Sequence, residues 1–345
     1  MTDSILAAGD ANGHDDHHDP EPGSEPRSGA ATAEPLSAEP THRAADARSG
    51  ALFAAGAAVL FGSAYVATAF QLRSFSPLAG AFWRSLLALI VLAGILAVGA
   101  LPAAPATPAG VSRVGRFVRL AILGVFGGLV FLVGMNLAVG LAGATITSFV
   151  AGLYAILAAV LGWLLLGERL SRFALAGFAL ALVGTALLAE LDPGSPSVPG
   201  LVAGLVAALS FALYLVFTRR WSRRYGLAGP IIALANFAAG SAGLLGFLAV
   251  TNATSILPVA PAPGALIALA WLVLASVVGQ LFVIASVRRI DARRSSTFLL
   301  FNPITATILS ALLLSERLAP IQLAGGGLVL LGMAMSSGLL VRGRR

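Results

Sequence analysis

Arg84 sits in the stretch AGAFWRSLLALI, seven residues beyond Pro77, and is the strongly charged residue inside an otherwise apolar run. At about 1.5 Å per residue this is roughly 10 Å into a helix that starts at the proline. A guanidinium at that depth of a bilayer costs about 3 kcal/mol on insertion scales, so it must face a cavity or a partner. Its planar fork matches a carboxylate or phosphate in a bidentate way. Snorkelling to the headgroups, or a structural bond to nearby carbonyls, is the competing use of the same side chain. Around it, Asn136, Ser148, Tyr154, Asn236, Gln280 and Asn302 are the polar groups of apolar segments. They could line a pocket with hydrogen bonds, or each could join helices for about 1 kcal/mol. Asn302 precedes Pro303, which lacks a donor and clashes with the carbonyl of Leu299, so a helix break is expected there. Such a break is tolerated where backbone is buried in protein or lines a wet cavity.

What is missing narrows the chemistry further. Glu168, Glu190 and Glu316 fall at the ends of apolar segments and none falls within one. The four histidines are His14, His17, His18 and His42, all before residue 50, and there is no cysteine. A proton relay needs titratable groups along its path, and the apolar segments supply none. A serine or a metal-bound water would likewise lack a base, so no enzyme, no cofactor and no metal centre is expected. The HDDHHD run at 14–19 could chelate a metal, but a solvated polar tail is the simpler reading.

These groups must be carried by elements suited to lipid. Hydrophobic residues make up 58% of the 345, charged residues 11%, and mean hydropathy is +0.90. A soluble domain carries about a quarter charged residues, so lipid has to be the solvent. Residues 1–49 differ: they are rich in Pro, Gly, Ser, Ala and acid without apolar periodicity, and are expected to be a disordered cytoplasmic tail rather than a signal peptide. From Gly50 onward ten apolar segments follow, at 51–70, 77–99, 118–138, 145–166, 173–190, 200–218, 230–250, 265–286, 296–314 and 321–341. A bilayer core takes about 20 apolar residues per helix, and the short alternating segments of a β-barrel are missing.

All 22 basic residues are arginine, and they segregate. If loops alternate sides, one side collects Arg43, Arg48, Arg113, Arg116, Arg119, Arg169, Arg172, the 219–224 cluster, the 288–294 cluster and Arg342, Arg344 and Arg345, while the other holds Arg73 and Arg317. Short-loop arginine stays in the cytoplasm, so both termini are expected there. The net charge of +7 then meets anionic lipid headgroups, and no nucleic acid is expected. Trp163 and Trp271 read as an interfacial belt, and Trp221 falls in a basic loop. Gly124-x3-Gly128 and Gly200-x3-Gly204 would let helices approach closely, within one molecule or across a homodimer.

One heptad is written twice: LLLGERL at 164–170 and LLLSERL at 312–318, 148 positions apart (316 − 168). With that offset, 157–186 aligns on 305–334 without gaps and about half the positions are identical, including Glu168/Glu316, Arg169/Arg317, Gly177/Gly325 and Gly184/Gly332. A unit of five segments is odd, so the second copy must enter from the opposite face, giving two inverted halves. The heptad itself reads as an interfacial helix–turn–helix corner with a local Glu–Arg ion pair, Ser171 capping the next helix in the first copy and Pro320 starting it in the second. Ala155 stands where Pro303 does, so the helix break is expected in the second copy alone.

With its 5+5 organisation, the two corners, the run FNPITATILSALLLSERL at 301–318 and the P-x(12)-E spacing from Pro303 to Glu316, the chain resembles the EamA-type transporters of the drug/metabolite transporter superfamily over about residues 50–341. The resemblance implies an all-α polytopic protein of the bacterial inner membrane, with ten transmembrane helices in two inverted repeats (50–190 and 191–341) and a basic C-terminus at 342–345. It implies export of small polar metabolites such as amino acids by alternating access. Arg84 would hold an anionic group, and Asn136, Tyr154, Asn236, Gln280 and Asn302 would supply hydrogen bonds. A drug or nucleotide-precursor exporter of the same fold, or a scaffold that carries nothing, are the alternatives.

Overall fold

The structure is a computed structural model that describes residues 39–100, 110–168, 171–188, 197–250, 261–287 and 300–336, with a few single positions between them. The described residues are helical, with no strand among them. In chain order the helices are α1 (Glu39–Gln71), α2 (Pro77–Ala97), α3 (Arg113–Gly124), a π-helical segment (Val125–Val130), α4 (Phe131–Ala142), α5 (Ala144–Gly152), α6 (Tyr154–Leu166), α7 (Arg172–Leu188), α8 (Ser197–Tyr225), α9 (Gly229–Val250), α10 (Pro263–Val287), α11 (Phe301–Leu313) and α12 (Pro320–Ser336). Among the described residues, seven stretches are long and apolar enough to cross a membrane: 47–71, 77–97, 113–142, 144–166, 198–222, 229–250 and 263–286. The remaining three expected segments are shorter helices, α7 and α12 of 17 residues and α11 of 13.

Local chemistry sets the boundaries. Ser76 caps α2 by accepting from the Ala79 N–H at 3.2 Å, and Pro77 takes the first helical position, where its missing donor is not needed. Ser112 does the same for α3, and Ser171 for α7, accepting from the Ala174 N–H at 3.1 Å. Gly143, at φ +83°, alone separates α4 from α5. Two helices run longer than expected from sequence. α1 begins at Glu39, inside the segment read as tail. α8 runs on to Tyr225, so Trp221 is helical, stacked on Phe217 at 4.7 Å, rather than in a loop.

The repeat is visible in the elements. α7 and α12 match end for end at the offset of 148 (320 − 172 and 336 − 188). α6 and α11 are each 13 residues, and both follow a single residue of nearly the same shape: Leu153 at φ −59°, ψ −16° and Leu300 at φ −62°, ψ −19°. A helix start is therefore present at this place in both copies, where a break was expected in the second alone. Proline is not its cause. Pro303 lies in the first turn of α11, where the N–H groups have no intrahelical partner, and Leu153 turns without any proline. Each heptad then closes on a left-handed residue, Gly167 at φ +68° and Ser315 at φ +57°, and on a bond from the glutamate N–H six residues back, Glu168 to Gly162 O at 3.2 Å and Glu316 to Ser310 O at 3.3 Å.

Glycine holds the two copies together. α7 and α12 share the most extensive helix contact. Their four repeat-related glycines meet in crossed pairs: Gly177 against Gly332, and Gly184 against Gly325. A Cβ at Gly184 would stand 2.5 Å from the Gly325 carbonyl oxygen, and one at Gly325 would stand 2.6 Å from the Gly184 oxygen. The crossing order makes the helices antiparallel, and the exchange of partners is what a two-fold relation produces. Gly124 and Gly128 pack on Ala235 and Asn236 of α9, and Gly200 and Gly204 on α4 and α5, so both small-residue motifs are used within the molecule. Outside, Ile90, Ile267, Ile308 and Leu323 are more than half exposed, an apolar surface suited to lipid.

Candidate functional site

Arg84 lies on the buried face of α2, 5% exposed. Its Nε donates to Ser276 Oγ of α10 at 2.9 Å, and Ser276 in turn donates to the Leu272 carbonyl at 2.6 Å. Nη1 is buried and has no hydrogen-bond partner. Among the described residues no carboxylate pairs with Arg84, and the Arg219–Glu168 ion pair lies elsewhere, between α8 and the first heptad. A charge so placed keeps one donor aimed at nothing in the protein, a costly arrangement unless something else accepts it.

Aromatic groups continue from it across both halves. Tyr65 of α1 is within electrostatic reach of Arg84 and of Tyr154. Tyr154 opens α6 and meets Phe211 of α8 edge-on at 5.0 Å; Phe211 leans on Phe131 at 4.7 Å and on Tyr214 at 5.2 Å. Tyr214 is hydrogen-bonded to the Asn236 side chain of α9. Asn236 and Tyr214 press on the π-helical segment, where side chains at Gly127 and Gly128 would overlap them. The first half thus supplies Tyr65, Arg84 and Tyr154, and the second supplies Phe211, Asn236 and Ser276.

The remaining expected residues sit at the margins of this group. Asn136 of α4 is fully buried, its amide donating to Leu132 O at 2.9 Å. Ser148 turns back onto the Thr145 carbonyl at 2.6 Å and is spent locally. Gln280 is half-buried, four residues along α10 from Ser276 and so on the same helical face. Asn302 is buried at the start of α11, with its backbone carbonyl against Gly62 of α1. Trp271, expected at the interface, bonds Ser63 Oγ through its indole N–H at 2.9 Å and so is pinned to α1. Trp163 is half exposed near the end of α6.

Two residues escaped the sequence reading. Ser276 is a lone small hydroxyl in a Val/Ala run, a pattern that normally means packing. Gln71 falls one position past the apolar segment 51–70, where a polar residue reads as loop, yet it is 0% exposed and donates to Gly80 O at 3.2 Å.

The heptad glutamates do more than turn the chain. Glu316 makes no ion pair with Arg317. Its Oε1 accepts from the Ala144 N–H at 3.1 Å, and its Oε2 from the Thr145 N–H at 3.1 Å and hydroxyl at 2.7 Å, so it caps α5 from the other half. Glu168 instead meets Arg219 at 3.4 Å beside a cavity of about 230 Å³ lined by Ala158, Ser171, Ala174 and Ser336. Arg169 lies outside the described residues.

Comparison with known proteins agrees with this architecture. The EamA-like transporter family model matches twice, over residues 48–189 and 198–338. An uncharacterized transporter of Archaeoglobus fulgidus is 27% identical over 274 residues, 79% of this chain and 93% of that protein. A crystal structure of another protein, 22% identical, superposes over 85% of this chain and 97% of its own with a TM-score of 0.57, a likeness of fold alone. With the family model covering both halves, the chain belongs to the EamA-like transporter family and is a multi-pass membrane transporter.

Proposed function

We propose that the chain exports small zwitterionic metabolites of the amino-acid class, by alternating access around the Arg84 group between two inverted halves. The observation that carries this reading is the buried guanidinium with a free Nη1 donor and no carboxylate beside it among the described residues. A substrate carboxylate would complete it, and the aromatic run from Tyr65 to Tyr214 offers flat apolar surface for the rest of a small molecule. Without titratable acids along the path, transport proceeds without a midplane proton relay.

Ten crossings with cytoplasmic termini in a bacterial inner membrane fit the same reading. Contacts between loops sort into two ends, as strict alternation requires. Ser74 bonds the Ala262 N–H at 3.2 Å and Glu316 caps α5 at one end; Arg116 bonds Gly226 O at 3.2 Å and Arg219 meets Glu168 at the other. The antiparallel α7–α12 pair supports the inversion. The repeat-related glutamates differ in engagement: Glu316 clamps its end with three hydrogen bonds, while Glu168 borders a polar cavity. That asymmetry suits a carrier resting with its outer end closed.

Proteoliposome counterflow of labelled amino acids tests the site. Arg84→Ala should lower the rate at least about tenfold, since losing a hydrogen bond to a charged group costs roughly 1.5–3 kcal/mol. Arg84→Lys, which keeps the charge without the fork, should retain part of it. An unchanged rate in Arg84→Ala would remove Arg84 from the site.

A further inference from the structure

A second group of unsatisfied polar atoms lies one helical turn from Arg84, on the same face of α2. Gln71 and Asn136 are both 0% exposed. Each spends its amide nitrogen on a backbone carbonyl, Gln71 on Gly80 O at 3.2 Å and Asn136 on Leu132 O at 2.9 Å. These bonds fix the orientation of both amides, because a flip would set oxygen against oxygen. The two amide oxygens, Gln71 Oε1 and Asn136 Oδ1, are left buried without a partner. They converge on one spot: a Cβ at Gly80 would stand 3.0 Å from the first and 3.4 Å from the second. Residue 80 is the position where a side chain would cover both oxygens, and it is glycine. Gly80 precedes Arg84 by four residues, about 6 Å of helix rise.

Two orphaned acceptors facing one place require a donor or a cation, since a buried unsatisfied oxygen costs about 1–3 kcal/mol. The set contains neutral oxygens and no carboxylate, which disfavours a divalent ion, whose sites are built from carboxylates. We propose that Gln71 Oε1 and Asn136 Oδ1, beside Gly80, receive a small monovalent cationic group. Two sources share that chemistry: the ammonium of a zwitterionic substrate, whose carboxylate would rest on Arg84, and a free sodium or ammonium ion. The first rests on the transport reading above; the second stands without it.

Thermal unfolding of the purified full chain in detergent separates them. One arm compares sodium and ammonium chloride with tetramethylammonium chloride at equal ionic strength, about 100 mM, the bulky ion being unable to enter. The other compares L-alanine with propionate, which has the carboxylate but no amine. At least one arm should raise Tm by about 2 °C over its control in the wild type. Gly80→Ala, which places a methyl between the oxygens, should cancel that gain. Asn136→Leu, close in size but without the oxygen, should likewise cancel it, so a poorly folded Gly80→Ala does not decide the matter alone. Arg84→Ala should abolish an alanine response and spare a sodium response, which separates failure of this site from failure of the Arg84 assignment. No gain in either arm, a gain that survives Gly80→Ala, or a gain that survives in a well-folded Asn136→Leu overturns the proposal.

Discussion

Ser315 and Arg84 show how single residues record the constraints of the fold. Ser315 holds φ +57°, a left-handed conformation that its repeat partner Gly167 adopts at no steric cost. Ser315→Gly should therefore stabilise the protein by about 0.5–1 kcal/mol, read as a higher thermal midpoint in detergent, provided the gain exceeds glycine's added entropy when unfolded. A lower midpoint would mean that the serine side chain holds the turn. Arg84 was legible in the sequence because a charge inside an apolar run has to be explained, and burial beside Ser276 is how the structure explains it. Gln71 was not legible. Its significance arises from the approach of Gly80 and Asn136, which no spacing in the chain encodes.

At the scale of elements, packing between the halves is governed by small residues. The crossed pairs Gly177–Gly332 and Gly184–Gly325 bring the α7 and α12 backbones into direct contact. Gly184→Leu would drive four carbons into the Gly325 carbonyl and force the helices apart, at a cost of roughly 1–3 kcal/mol or more for overpacking. The expected outcome is a lower thermal midpoint and weaker counterflow, whereas the same change at Gly327, whose Cβ would meet nothing within 4 Å, should leave both unchanged. Most elements could be read directly: apolar length pointed to ten segments, seven of which are helices long enough to span among the described residues, and the offset of 148 gave the α7/α12 correspondence. The paired helix starts could not. Pro303 drew attention to one copy, whereas the turn at Leu153 follows Gly152, a poor helix former, and precedes Tyr154, which meets Phe211 edge-on. The glutamate corners were likewise half legible. Their turn follows from the heptad, but the Glu316 cap on α5 joins residues more than 170 positions apart.

For the whole molecule, the account depends on a five-helix unit and its copy crossing the membrane in opposite senses. Arginine placement pointed that way from sequence, and among the described residues the contacts Ser74–Ala262, Arg116–Gly226 and Glu168–Arg219 each join segments that alternation would put on one side. The lateral surface is apolar, with exposed Ile267 and Leu323 where a soluble protein would carry charge. Because the chain has no native cysteine, single cysteines report sidedness without background. Ser171→Cys and Ala319→Cys occupy equivalent positions in the two copies (319 − 171 is the same 148) just after the heptads. Modification of intact cells with a membrane-impermeant maleimide should label the residue-319 variant and spare the residue-171 variant until the membrane is permeabilised. Labelling of both, or of neither, in intact cells would contradict the inversion and with it the alternating-access carrier.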